Sequence, residues 1–298
     1  MARIAVIGDV HEQWTDADNA FFNRSDYDLV LFVGDLTSVA SLKRTPSIAR
    51  RLAELRKRAL MIAGNHDVHN LVQLVAEVLD HERLMWWSGA RHAGFHRRLA
   101  QWITPVQMVG YSSHFFQFGD VAFDVIAGRP CSMGSGSASR EKNGFRNRLN
   151  FARLLQEVYD VQDMAASAER LKHCVDQARS GRLIFLAHNG PTGLGDAPDD
   201  LWGRDFGGEI GGDWGDEDLR EAIDYARAKG KQVELVVAGH MHLRTKQGEE
   251  RPSLQRVDGV TYINAARVPR VRAEGRHHVR IELNGLETSV EERFVKGI

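Results

Sequence analysis

One local pattern constrains this chain more than any other: a short apolar run, a small residue, then a polar side chain able to hold a cation. It first occurs at Ile4-Ala5-Val6-Ile7-Gly8-Asp9-Val10-His11. It recurs at Leu29–Val33 before Gly34-Asp35, at Leu60–Ala63 before Gly64-Asn65-His66-Asp67, at Leu183–Ala187 before His188, and at Val233–Ala238 before Gly239-His240-Met241-His242. The runs lack polar alternation, which suits strands buried on both faces rather than strands with one wet face.

Between the first three runs the spacing predicts helices. Thr15 to Asn23 has Thr15 as an N-cap, Ser47 to Lys57 repeats apolar residues at Ile48, Leu52 and Leu55, and Leu71 to Leu79 is a third. Strand, polar turn and helix in that rhythm predict βαβ crossovers and a sheet at least partly parallel. Functional groups of such sheets gather beyond the carboxyl ends of the strands, where all of these polar clusters fall.

The remaining chain is less regular. Met85 to Trp102 carries Trp86, Trp87 and Trp102, read as packing residues. Gln107–Gly110 and Val121–Ala127 read as strands, and Asn150–Arg179 as a long helical stretch broken near Asp160–Asp163. The helix Asp218–Lys229 precedes the last polar turn, and Gly259–Ile263, His277–Leu283 and Thr288–Phe294 form a strand-rich tail with a hairpin turn at Asn284-Gly285. Two segments are loops expected near the mouth of the site, 129–148 and 194–217. The first is Gly/Ser-rich at 131–137 and carries five Lys/Arg against one Glu; residues 196–221 carry ten acids against Arg204 and Arg220. No linker divides the 298 residues, so one domain is expected across 1–298.

Composition narrows the function classes. Thirty-nine Lys/Arg nearly balance 40 Asp/Glu, which gives no support to a nucleic-acid binder. Two cysteines cannot form a disulfide framework and suit a reducing compartment. A strand beginning at residue 3 leaves no signal peptide, and no apolar stretch approaches the ~20 residues that cross a bilayer. The expectation is a cytoplasmic protein without a membrane partner, its oligomeric state undetermined.

The turns together offer Asp9, His11, Asp35, Asn65, His188, His240 and His242 as ligands, with His66 among them. Carboxylate, amide oxygen and imidazole suit Mn, Fe or Zn, and the absence of thiolates argues against a structural zinc-cysteine site. Seven ligands exceed one tetrahedral ion and suffice for two ions sharing a bridging carboxylate. Singly, each residue has a plainer reading: Asp9 and Asp35 as helix caps, Asn65 as a turn former, His188 as a core histidine.

The ordered set Asp9-x-His11, Gly34-Asp35, Gly64-Asn65-His66-Asp67, His188 and Gly239-His240-x-His242 resembles the calcineurin-like metallophosphoesterase superfamily. The resemblance implies an α/β fold, a four-layer α/β/β/α sandwich whose mixed sheets are flanked by helices. It implies that Asp9, His11 and His242 hold a first divalent ion, that Asp35 bridges, and that Asn65, His188 and His240 hold the second. His66 would assist the leaving group as general acid, with Asp67 orienting its ring, while a metal-bound hydroxide attacks a phosphomonoester or small phosphodiester.

The second block lacks the Asp-Arg-Gly of protein Ser/Thr phosphatases, reading Gly34-Asp35-Leu36-Thr37-Ser38-Val39, and Val68-His69 follows Asp67 where those enzymes carry Glu. Phosphoprotein hydrolysis and a non-catalytic interaction module are the alternatives. His188–Gly195 and Asn264–Arg270 resemble a branch of the superfamily found in cyanobacteria and plants. Arg129, Arg267 and Arg270 are the candidates for binding a small phosphorylated substrate.

Overall fold

The structure, a computed structural model, describes residues 1–38, 43–68, 87, 89–134, 149, 151–207 and 210–296. The polar turns sit at the ends of two packed sheets. In the first sheet β1 (Ala2–Ile7), β2 (Leu29–Phe32), β3 (Arg58–Ile62) and β4 (Gln107–Val109) run parallel. The tail completes it: β12 (Gly275–Asn284) pairs antiparallel with β1, and β11 (Val271–Arg272) and β13 (Glu287–Val295) pair with β12. In the second sheet β6 (Val121–Ala127), β7 (Arg182–Leu186), β8 (Gln232–Ala238) and β10 (Val260–Asn264) run parallel. Antiparallel β5 (Ser112–Phe118) and β9 (Leu254–Val257) close its edges.

Because successive side chains of a strand point to opposite faces, each inner strand feeds two cores. Ile4, Val6, Leu29 and Leu31 meet Phe123, Val125, Ile184, Leu186 and Val237 between the sheets. Ala5, Ile7, Val30 and Phe32 face outward onto Phe22 of α1 (Asp16–Arg24), Ile48 and Leu52 of α2 (Thr45–Leu52) and Leu99 of α3 (His92–Trp102). On the far side Phe185 and Val236 meet Leu154 and Leu155 of α4 (Ala152–Tyr159), Leu171 and Val175 of α5 (Met164–Asp176) and Leu219 and Ile223 of α6 (Glu217–Ala228). Three cores between four layers are the α/β/β/α sandwich, and they explain the runs without alternation: both faces of the inner strands are dry.

The expected break in 150–179 lies between α4 and α5. Asp160 closes α4 at φ +56°, and the Asp163 carboxylate accepts the Ala166 N–H at 2.8 Å to open α5. The tail hairpin pairs Asn284 with Glu287, so its two-residue loop is Gly285-Leu286, one position beyond the expected Asn284-Gly285. Gly285, at φ +59°, takes the first loop position that primed hairpin turns require. Trp87 departs from its expected packing role: it is 54% exposed, with Arg91 over its ring at 5.0 Å. The helix expected at 71–79, Trp86 and most of the 129–148 segment lie outside the described residues. No helix among the described residues is long and apolar enough to cross a membrane.

Candidate metal centre

The turns after β1, β2 and β3 come from one sheet and those after β7 and β8 from the other, so the site forms where the stacked sheets end together. Hydrogen bonds stitch the two sets: the His240 N–H donates to Asp9 Oδ1 at 3.2 Å, and His188 Nδ1 lies 2.6 Å from the Val33 carbonyl. Glycine beside these turns is a steric requirement. A Cβ on Gly64 would sit 2.1 Å from Asp35 Oδ1 and 2.7 Å from His188 Cε1; one on Gly239 would sit 2.4 Å from Asp9 Oδ1. The backbone also departs from ordinary geometry here, with φ at +40° for His11, +51° for Asp35 and +67° for His240. Non-glycine residues in the left-handed region carry strain that concentrates at functional sites.

The side chains converge in groups whose ligand atoms lie within 4.8 Å of one another: Asp9, His11 and His242; Asp35, His188 and His240; and His11, Asp35 and His66. Asp35 therefore stands between the first two groups. Asn65 joins the second, its Oδ1 2.9 Å from His188 Nε2 and 3.1 Å from His240 Nδ1. His11 Nε2 and His242 Nε2 face each other at 3.2 Å, and the buried Asp9 Oδ2 has no hydrogen-bond partner among the described residues.

These contacts fit a cation. The Val33 carbonyl can only accept, so His188 Nδ1 donates to it. In the neutral ring that leaves the Nε2 lone pair facing the Asn65 oxygen, with no proton between them. The charges agree. Burial opposes ionisation of Asp9 and Asp35, yet the neighbouring imidazoles outweigh it and hold both carboxyls below their usual range, His242 acting most on Asp9 and His188 most on Asp35. Burial also disfavours imidazolium at His188 and His242, but Asp35 lifts the first and Asp9 the second above the ordinary histidine value. At His240 burial and the His188 charge outweigh the lift from Asp35 and Asp9 and push it down to about 3, leaving a neutral imidazole able to ligate. The clustered carboxylates and imidazoles are able to bind metal, and Asp35 lies within reach of both groups.

His66 occupies the outer side, its ring 5.4 Å from that of His11 and Nε2 3.9 Å from Asp35 Oδ2. Asp67 has a different job from the one expected. Among the described residues its buried carboxylate takes no imidazole; it accepts the backbone N–H groups of Asp35 at 2.9 Å, Gly64 at 2.8 Å and Leu36 at 2.7 Å. It ties the second turn to the third and so holds the Asp35 backbone in place.

The three candidate arginines are all engaged elsewhere. Arg129 is 3% exposed and lies between Asp216, at 2.6 Å, and Asp218, at 2.9 Å. Arg270 is buried against Asp18. Arg267 bridges Glu250 at 2.8 Å and Glu292 at 3.0 Å. None of them points to a phosphate, because leaving such a partner would strand a buried or half-buried carboxylate. The acidic loop is likewise not a field of free charge: Asp216 and Asp218 serve Arg129, Asp213 accepts the N–H groups of Gly193 and Gly215, and Asp205 is held by Arg251.

Sequence reasoning missed Arg251. Its buried guanidinium donates to the His242 carbonyl at 3.1 Å and to the carbonyls of Asp200 at 2.6 Å and Gly203 at 2.8 Å, so it clamps the acidic loop onto the last polar turn.

The fold and the ordered ligand turns define a family, and the sequence profile described as Calcineurin-like phosphoesterase matches residues 2–244. The chain belongs to that family. Among solved structures it is similar to a dimetal phosphatase from Danio rerio, with 12% identity and a TM-score of 0.50 over 98% of this chain and 96% of that one. It is also similar to the NAD nucleotidase of Haemophilus influenzae, with 12% identity and a TM-score of 0.52 over 97% of this chain and 49% of that one. At such identity these likenesses speak for the fold alone. No curated protein matches the sequence.

Proposed function

We propose that the chain is a dinuclear metal-dependent hydrolase of small phosphomonoesters or phosphodiesters. The observation that carries this reading is the pair of ligand groups, Asp9/His11/His242 and Asp35/His188/His240, with Asp35 standing between them and His66 beside them. The similar fold of a dimetal phosphatase supports it. Phosphoryl transfer asks chiefly for alignment and for absorption of developing negative charge, which a rigid cationic site supplies. When bound, the ions would contribute Lewis acidity and a water whose pKa falls toward ~7.

The chain's own residues then divide the work. Asp9, His11 and His242 hold one side; Asn65, His188 and His240 hold the other; Asp35 spans both. His66 faces the leaving group. Burial depresses its ring below the ordinary histidine range while Asp35 opposes that, and an arriving phosphate dianion adds to the opposition, favouring the protonated acid as substrate binds. The substrate is a small phosphorylated molecule; the near balance of 39 Lys/Arg against 40 Asp/Glu gives no support to a nucleic acid.

The test is a panel of phosphomonoesters, diesters, nucleotides and phosphopeptides with Mn, Fe or Zn added, run on wild type and on His66→Ala. Hydrolysis by wild type that falls roughly 10²-fold or more in His66→Ala supports the reading. A metal-loaded wild type that cleaves none of them refutes it.

A further inference from the structure

The loop at 194–217 carries the strongest acidic excess in the chain, yet Asp205 is held by Arg251, Asp213 by the N–H groups of Gly193 and Gly215, and Asp216 by Arg129, and among the described residues none of its acids pairs with Arg204. Arg204 has no carboxylate within 4 Å among the described residues. It is held by aromatic faces: its guanidinium carbon lies 5.1 Å from the Trp214 ring and 5.7 Å from the Phe206 ring, and its Nε donates to the Phe206 carbonyl at 3.0 Å. The two rings pack edge to face at 5.2 Å. Lys246 adds a second cation, its amine 5.3 Å from the Phe206 ring. Aromatic faces orient a guanidinium without satisfying its N–H donors, so the terminal nitrogens of Arg204 remain available to an anion.

This shelf is tied to the ligand turns at both ends. The Asn189 side chain, next to His188, donates to the Trp214 carbonyl at 2.9 Å. Arg251 binds the His242 carbonyl and the Gly203 carbonyl together, and the Lys246 N–H donates to Asp205 at 2.9 Å. The Trp202 indole donates to the Gly239 carbonyl at 3.2 Å. Arg204 also pairs with the returning strand of the loop, donating its N–H to Gly212 and accepting from Gly211. Arg204 directly follows Gly203, whose carbonyl shares the Arg251 guanidinium with that of His242, and the His242 side chain is 43% exposed.

We propose that Arg204, with Lys246 beside it, binds an anionic group of the substrate beyond its reacting phosphate, so that the site favours phosphoesters bearing a second negative charge, a carboxylate or another phosphate. This rests on the phosphoesterase reading and adds the substrate class to it. A charge-assisted hydrogen bond contributes about 1.5–3 kcal/mol, and 1.4 kcal/mol is tenfold in affinity, so the second charge should favour binding about tenfold.

Two non-hydrolysable ligands test this by calorimetry on the metal-loaded protein: phenylphosphonate and 4-carboxyphenylphosphonate. Wild type should bind the carboxylated ligand about tenfold more tightly. Arg204→Gln should bring the ratio close to one, Arg204→Lys should restore part of it, and the exposed Lys246→Gln should reduce it, which keeps the test open should Arg204→Gln fold poorly. The KM ratio of the corresponding phosphate esters should follow the same order. Equal affinity of wild type for both ligands overturns the proposal. So does a ratio unchanged in Arg204→Gln, or a loss that falls equally on both ligands, which would place Arg204 on the reacting phosphate instead. If wild type shows the binding preference but cleaves neither ester, the hydrolase reading fails and the anion site stands.

Discussion

Asp67 offers the sharpest test of how the site is held, because its carboxylate serves three backbone donors at once, the N–H groups of Asp35, Leu36 and Gly64. Asp67 is fully buried, so Asp67→Ala admits no bulk water to replace the lost acceptors. A buried donor left without a partner costs about 1–3 kcal/mol. With three donors released and partial relaxation, a loss of roughly 3–6 kcal/mol follows from the same range, a large part of the ~5–15 kcal/mol that holds a typical domain. Asp67→Asn is the informative partner. Its one carbonyl oxygen can keep the Asp35 and Gly64 donors, while its amide faces the Leu36 N–H, so it should lose only about 1–3 kcal/mol. Urea unfolding of the metal-free proteins measures both. Because Asp67 positions the Asp35 backbone, metal affinity should fall in the same order. An alanine variant within about 1 kcal/mol of wild type, below the cost of even one such donor, would refute the reasoning.

Other expectations are equally direct. Arg129→Met should destabilise by about 3–5 kcal/mol, since it leaves Asp216 and Asp218 buried without their cation; a KM shift in a still-folded variant, with no loss of stability, would mean Arg129 serves substrate after all. Gly239→Ala should lower affinity for the ion beside Asp9, because the new methyl would stand 2.4 Å from the Asp9 carboxylate; equal metal binding by calorimetry contradicts that. Burial, with the charge of His277, pushes His278 down to about 3 in the fold, whereas an unfolded histidine titrates near ~6.5. The unfolded chain therefore binds the extra proton between those values, and stability should be lost as pH falls from about 6.5 toward 3. Urea midpoints against pH should show a shallower acid decline in His278→Gln; an unchanged slope means His278 is not the group responsible.

How far the sequence showed this structure depends on whether the cause was local. The inner strands were legible because a strand dry on both faces must be apolar throughout, as Val30 and Leu31 are. Most ligand turns were legible because Gly64 and Gly239 have no room for a side chain, so glycine marks those turns beside their ligands, whereas Ala187 precedes His188. Strand β5 was not legible: its half-buried Ser112, Ser113 and His114 belong to an edge strand and carry no buried run. The arginines misled for a different reason. Arg129 stands in a basic segment, but its partners Asp216 and Asp218 lie far along the chain and meet it only in the fold. Arg204 drew no notice in the most acidic stretch of the chain, because the partners that hold Asp205 and Asp216, Arg251 and Arg129, are brought there only by the fold. Asp67 looked like a partner of the ring beside it in sequence, and the backbone it ties down comes largely from another turn.

The most direct test of the whole account is a metal titration read by native mass spectrometry on wild type, Asp9→Asn and Asp35→Asn. Two ions should bind wild type; Asp9→Asn should lose the ion held with His11 and His242 while keeping part of the occupancy at Asn65, His188 and His240; Asp35→Asn should weaken both. A wild type that takes a single ion, or an Asp9→Asn variant that retains both equally, would contradict a centre built from two ligand groups around Asp35.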